Sequence, residues 1–152
     1  MAIEKSEFIW HNGKLIGWDD ATLHVMSHVV HYGSSVFEGI RCYALPAGPA
    51  IFRATEHVQR LLDSAKVYRM DVDYTRDQLV KAMLETVASN GTWPCYVPSS
   101  VFSGFRARIE WRQRLRIVAC SRCTSWLDPK QSRATICDHH LPDSVLSNSQ
   151  WD

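Results

Sequence analysis

Between Val36 and Tyr43 the chain reads as an extended segment whose side chains alternate in direction, so Phe37, Gly39, Arg41 and Tyr43 share one face. Upstream, Phe8-Ile9-Trp10 and Lys14-Leu15-Ile16 flank His11-Asn12-Gly13. Asn-Gly between apolar runs predicts a tight hairpin, because both turn positions need positive φ. The stretch from Asp19 through Leu23, Val25, Met26, Val29 and Val30 is apolar without a clear period and is left open between helix and strand. Leu45-Pro46-Ala47-Gly48 supplies turn chemistry, and Ala50-Ile51-Phe52-Arg53 returns as a partner strand.

The period then changes. Thr55 can cap a helix in which Val58, Leu61, Leu62, Ala65 and Tyr68 recur at helical spacing while Gln59, Asp63 and Lys66 lie elsewhere. Thr75-Arg76-Asp77-Gln78 has the form of a capping box for a second helix. Its buried stripe is Leu79, Ala82, Met83, Thr86 and Val87, and Asn90-Gly91 ends it. Strands followed by helices, without strict alternation, predict an α+β fold with an antiparallel-rich sheet and helices on one face.

Composition narrows the classes. The chain has 152 residues, 45% hydrophobic and 22% charged, with a formal charge of +1, so a soluble domain with a real core is expected and no global basic field points to nucleic acid. No apolar run approaches the roughly 20 residues of a membrane span. Glu4 and Glu7 stand where a secretory signal would be apolar, so a cytoplasmic protein is expected. Five cysteines without a framework fit reduced thiols. Up to Val97 there are nine Lys and Arg against eleven Asp and Glu, and after it eight against five. A slightly acidic body therefore carries a basic tail.

Candidate chemistry sits in the alternating strand and the first helix. A glycine inside a strand often marks a close approach by a ligand or another backbone. Beside Arg41 it reads as a pocket floor for an anion, or equally as an edge strand whose arginine snorkels to water. Arg60 lies near a helix start, where the dipole does not favour a cation. It either pairs with Glu56 or Asp63, or joins Arg41 in supplying positive charge to a phosphate or carboxylate.

These residues carry a resemblance. Ile9-Trp10 with Asn12-Gly13, His24-Val25-Met26-Ser27-His28, the run from His31 to Tyr43, Phe52-Arg53, Glu56-His57, Gln59-Arg60-Leu61 and Asp63-Ser64-Ala65-Lys66 resemble the N-terminal domain of the branched-chain amino-acid aminotransferases. These are fold type IV enzymes dependent on pyridoxal 5'-phosphate. The likeness covers residues 1–97. It implies reversible transfer of an amino group between leucine, isoleucine or valine and 2-oxoglutarate. By the resemblance, Arg60 holds the cofactor phosphate, and Tyr32, Phe37, Gly39, Arg41 and Tyr96 line the substrate pocket. It further implies a homo-oligomer acting on small amino and 2-oxo acids and assigns no metal, while charge and hydropathy point to no nucleic acid or membrane partner.

Past Val97 the pattern changes. Pro98-Ser99-Ser100 replaces the family's arginine and proline, and 98–152 reads as a divergent tail of little defined structure, as a reading frame lost near Val97 would give. The Schiff-base lysine of the family belongs to a second domain. Lys130, the one lysine after Val97, sits in Pro129-Lys130-Gln131-Ser132-Arg133, which does not match that lysine's segment, so no catalytic residue is assigned. The alternative to an active transaminase is a truncated, catalytically inactive and aggregation-prone chain. Rival motifs are weaker. Cys120-x-x-Cys123 with Cys137, His139 and His140 is misspaced for zinc. His24, His28 and His31 could share a helical face, with hydrogen-bonded core histidines the simpler reading. The stripe Arg106, Arg108, Arg112, Arg114 and Arg116 around Trp111 matches no nucleic-acid module.

Overall fold

Asn12 and Gly13 take positive φ, 49° and 93°, as the hairpin turn between β1 (Phe8–His11) and β2 (Lys14–Gly17) requires. The computed structural model describes residues 5–91, 93–105, 113–118 and 120–121. The segment left open by its mixed period forms a 3-10 turn over Trp18–Asp20 and the short helix α1 (His28–Tyr32). Strand β3 spans Ser35–Leu45 and turns at Pro46-Ala47 into its antiparallel partner β4 (Gly48–Ile51). Helices α2 (Ala54–Val67) and α3 (Arg76–Asn90) follow, then strands β5 (Cys95–Ser103), β6 (Gln113–Val118) and β7 (Cys120–Ser121).

The sheet runs in the order β2-β1-β6-β5-β3-β4, with β7 also on β5, and every pairing among the described residues is antiparallel. Both long helices pack on one face, giving the α+β class expected from sequence. Residue 98, where a tail was expected to begin, lies inside β5, which pairs with β3 from Cys95 to Phe102. The Cys123, Cys137, His139 and His140 positions of the zinc reading lie outside the described residues. Among the described residues no three metal-ligating side chains cluster, and no helix is long and apolar enough to cross a membrane.

Alternation along β3 sets the core. Val36, Ile40 and Cys42 face inward with Val97 and Val101 of β5 and Trp10 of β1, under Val58, Leu61 and Ala65 of α2 and Leu79, Ala82, Met83 and Val87 of α3. The five positions expected as the α3 stripe are all buried, and the capping box is made: Gln78 N–H donates to Thr75 Oγ1 at 3.3 Å and Thr75 N–H to Gln78 Oε1 at 2.8 Å. The α2 start differs from expectation. Thr55 lies one residue inside the helix, and Arg53 takes the cap position in the left-handed region at φ 42° without a side-chain cap bond. The chain turns sharply there because Phe52 N–H still bonds the Arg41 carbonyl at 2.9 Å. Tyr68, expected on the buried stripe, is exposed because the helix has ended at Val67.

Asn90 ties the end of α3 to the sheet. Its Oδ1 accepts from Phe8 N–H at 2.9 Å and its Nδ2 donates to the Phe8 carbonyl at 3.0 Å, so one side-chain amide satisfies both backbone groups of a strand residue. Asn90→Ala removes both bonds, and urea unfolding should show a loss of about 2 kcal/mol, the usual cost of leaving such groups unpaired; an unchanged midpoint would show that water replaces the amide.

Candidate anion-binding site

The same alternation that buries Val36 and Ile40 also turns Glu38 inward, toward α2. Its side chain is 6% exposed. An ionised carboxylate in that position needs strong donors, and α2 supplies them one turn apart. Arg60 grips it in a two-point fork, Nε to Oε1 at 2.6 Å and Nη2 to Oε2 at 2.5 Å. His57 Nδ1 lies 2.8 Å from Oε2. Since a carboxylate only accepts, Nδ1 carries the proton of that bond. Burial alone would raise the Glu38 pKa, but the hydrogen bonds from Arg60 and His57, together with the Arg60 charge, outweigh it and hold the carboxyl below its ordinary value. The hydrogen bond and charge of Glu38 raise the Arg60 pKa in turn.

The partners expected for Arg60 are occupied elsewhere. Glu56 pairs with Arg53 at 3.3 Å, and Asp63 takes Lys66 at 3.6 Å and Gln59 at 3.0 Å. Although its fork is fixed on a buried group, the Arg60 side chain remains 66% exposed, and Nη1 lies outside the two-point pair. Arg60 borders an open cleft of about 280 Å³ with Phe52, Arg53, Glu56 and His57. Two guanidinium groups, Arg60 fixed on Glu38 and Arg53 paired with Glu56, thus border a space large enough for a small anionic group. A phosphate fits this donor set, since guanidinium N–H pairs match its oxygens.

The residues expected in the pocket divide between the two sides of the sheet. Phe37, Gly39 and Arg41 lie on the face of β3 away from the helices, with Phe37 exposed and Arg41 half-buried. The β5 register places Tyr96 opposite Arg41 and Pro98 opposite Gly39. The close approach that Gly39 permits is made by Tyr96: a Cβ there would lie 2.5 Å from the Tyr96 Oη and 3.2 Å from ring carbons. Tyr32 stands at the end of α1, exposed, with its ring centroid 4.4 Å from that of His28. The structure brings Gly39, Arg41 and Tyr96 together and sets Arg60 on the helix side, so Arg60 and Arg41 serve separate positions. Sequence reading missed Glu38, His57 and Arg53 as parts of the site. A signal was present for Glu38, since it is the one acidic residue on the inward face of an otherwise apolar alternation.

Glu38 makes stability depend on pH in a fixed direction. Because its folded pKa lies below the ordinary 4.5, its contribution is complete above that value and fades as pH falls through the folded one. Glu38→Gln should lower unfolding free energy by about 2 kcal/mol at neutral pH, as loss of charged hydrogen bonds does. The gap to wild type should close in acid. A gap that stays constant with pH in denaturant titrations would show that the carboxylate's charge contributes nothing.

Comparison with known proteins agrees with this architecture. The amino-transferase class IV family matches residues 35–150. The branched-chain-amino-acid aminotransferase of Salmonella typhimurium is 48% identical over 104 residues, covering 68% of this chain and 34% of that protein. The Escherichia coli K12 protein of the same name is 47% identical over the same length. Among solved structures, the branched-chain amino acid aminotransferase from Escherichia coli is 41% identical with a TM-score of 0.72, covering 78% of this chain and 42% of that one. The T.th. branched-chain amino acid aminotransferase complexed with N-(5'-phosphopyridoxyl)-L-glutamate is 38% identical with a TM-score of 0.72, with the same coverage. The chain thus spans about a third of the length of the curated relatives it matches. With an α+β fold like the N-terminal part of fold type IV aminotransferases and a family match over most of its length, the chain belongs to the class IV amino-transferases.

Proposed function

We propose that this chain contributes residues from both sides of its sheet to a branched-chain aminotransferase site, moving the amino group of leucine, isoleucine or valine to 2-oxoglutarate with pyridoxal 5'-phosphate. The observation that carries the reading is the Arg60 fork, an exposed guanidinium held rigid by a buried carboxylate beside an open cleft. Relatives solved with a phosphopyridoxyl adduct and with pyridoxamine 5'-phosphate support the cofactor class.

Each residue then has a task set by its chemistry. Arg60 holds the phosphate while Glu38 keeps the fork from turning. Phe37 and Tyr32 offer aromatic surface to a branched apolar side chain, as a pocket for such a group needs. Arg41 and Tyr96, registered opposite each other, present polar groups to the substrate carboxylate over the bare backbone of Gly39. When bound, the cofactor supplies the electron sink for bonds at the substrate's α-carbon.

A second reading is a chain that binds the cofactor phosphate without turnover. The chemistry needs a lysine amine, which the resemblance places in a second domain. Lys66 is engaged on α2 with Asp63.

The test combines binding and turnover. Purified protein should bind pyridoxal 5'-phosphate, with affinity reduced about tenfold or more by Arg60→Ala, the equivalent of one charged hydrogen bond. It should also form glutamate from 2-oxoglutarate in the presence of leucine. Binding without turnover selects the second reading; an affinity indifferent to Arg60→Ala overturns the placement of the phosphate.

A further inference from the structure

Cys42 and Cys95 are direct partners across the β3–β5 ladder. Both are reduced thiols and fully buried in the core, on the side of the sheet opposite Arg41 and Tyr96. Strand geometry fixes which kind of pair they form. Phe52 N–H donates to the Arg41 carbonyl at 2.9 Å and Cys42 stands opposite Ile51. That pattern turns the amide and carbonyl of Cys42 away from β4 and toward β5. Cys42 and Cys95 are therefore a hydrogen-bonded pair, with Cα atoms about 5.5 Å apart, inside the roughly 4.4–6.8 Å that a disulfide spans and near its commonest value.

The two thiols already interact. A hydrogen bond from Cys95 holds the Cys42 thiol below its ordinary pKa, against the raising effect of burial. Cys95 is the first residue of β5 and follows two exposed residues, Trp93 and Pro94.

We propose that Cys42 and Cys95 are a cross-strand redox pair, closed to a disulfide by a peroxide. The Cys42 sulfur attacks one peroxide oxygen, the O–O bond breaks, and a sulfenic acid and water result. The Cys95 sulfur then attacks the Cys42 sulfur, the S–O bond breaks, and the hydroxyl leaves as a second water with the Cys95 proton. Two sulfurs lose two electrons in all, and one peroxide gains them. In a hydrogen-bonded pair the side chains stand farther apart than at the alternate site, so the bond closes under strain and a thiol reductant reopens it.

The closed pair would fix the β3–β5 register directly behind the strand face that carries Arg41. This inference is independent of the proposed transamination. Oxidising the full chain with hydrogen peroxide, alkylating the remaining thiols in denaturant and digesting with trypsin tests it, since cleavage puts Cys42 in the peptide 42–53 and Cys95 in 82–106. The expected product is these two peptides joined, lighter than their sum by about 2 Da for the two lost hydrogens, and separated again by dithiothreitol. Cys95→Ser should abolish the joined product. The proposal is overturned if both cysteines are recovered alkylated, or if the 42–95 link is no more abundant in folded protein than in protein oxidised in urea.

Discussion

Burial of the Glu38 carboxylate between β3 and α2 constrains how that helix can sit on the sheet. A charge at that depth costs several kcal/mol unless its oxygens are satisfied, and Arg60 and His57 satisfy them from positions three apart on α2. The ion pair therefore sets the rotation of α2 about its own axis. Turning the helix by one residue, about 100°, would withdraw both donors and also lift Val58, Leu61 and Ala65 from the core. Hydrophobic stripe and charge cluster specify one orientation together. The stripe supplies the larger area, and the cluster penalises the alternatives.

The same pair holds a surface arginine in one orientation. A free arginine side chain loses about 2 kcal/mol of rotamer entropy when a ligand orders it, whereas Arg60 is already ordered by Glu38. What this arrangement gives up is field strength, because Glu38 neutralises much of the charge that an incoming anion would feel. Arg53 stands at the rim of the same cleft, paired with Glu56 at 3.3 Å. It sits there through a left-handed backbone at φ 42°, a conformation that costs a non-glycine residue on the order of 1 kcal/mol. Such strain at a cleft is common where a side chain must be aimed.

Local signals in the sequence translated well into structure. The α3 stripe, its capping box and the Asn12-Gly13 turn each depend on residues within four positions of one another, and all three form. The partner of Arg60 was not legible in that way. Neighbours at helical spacing, Glu56 and Asp63, were the natural expectation, while the actual partner lies 22 positions away on a strand. Spacing along a helix says nothing about which strand residue passes beneath it. The start of α2 failed for a related reason: Thr55 has good capping chemistry, but the bond from Phe52 N–H to Arg41 sets where the chain leaves the sheet. Likewise Gly39 was readable as a place of close approach, but the Tyr96 ring that makes the approach comes from a strand 57 residues on.

Register links the two faces of the sheet. A slip of one residue between β3 and β5 would exchange every inward side chain for an outward one, burying Arg41 and exposing Ile40. The buried faces of Ile40, Val97 and Val101 forbid the slip. Because that register places Tyr96 opposite Arg41, the same apolar contacts decide that the phenol ring crosses Gly39 and not a residue with a side chain. A substitution in the core that loosened the β3–β5 ladder would therefore act on the outer face without touching it. The geometry of the outer strand face is a consequence of packing on the other side of the sheet.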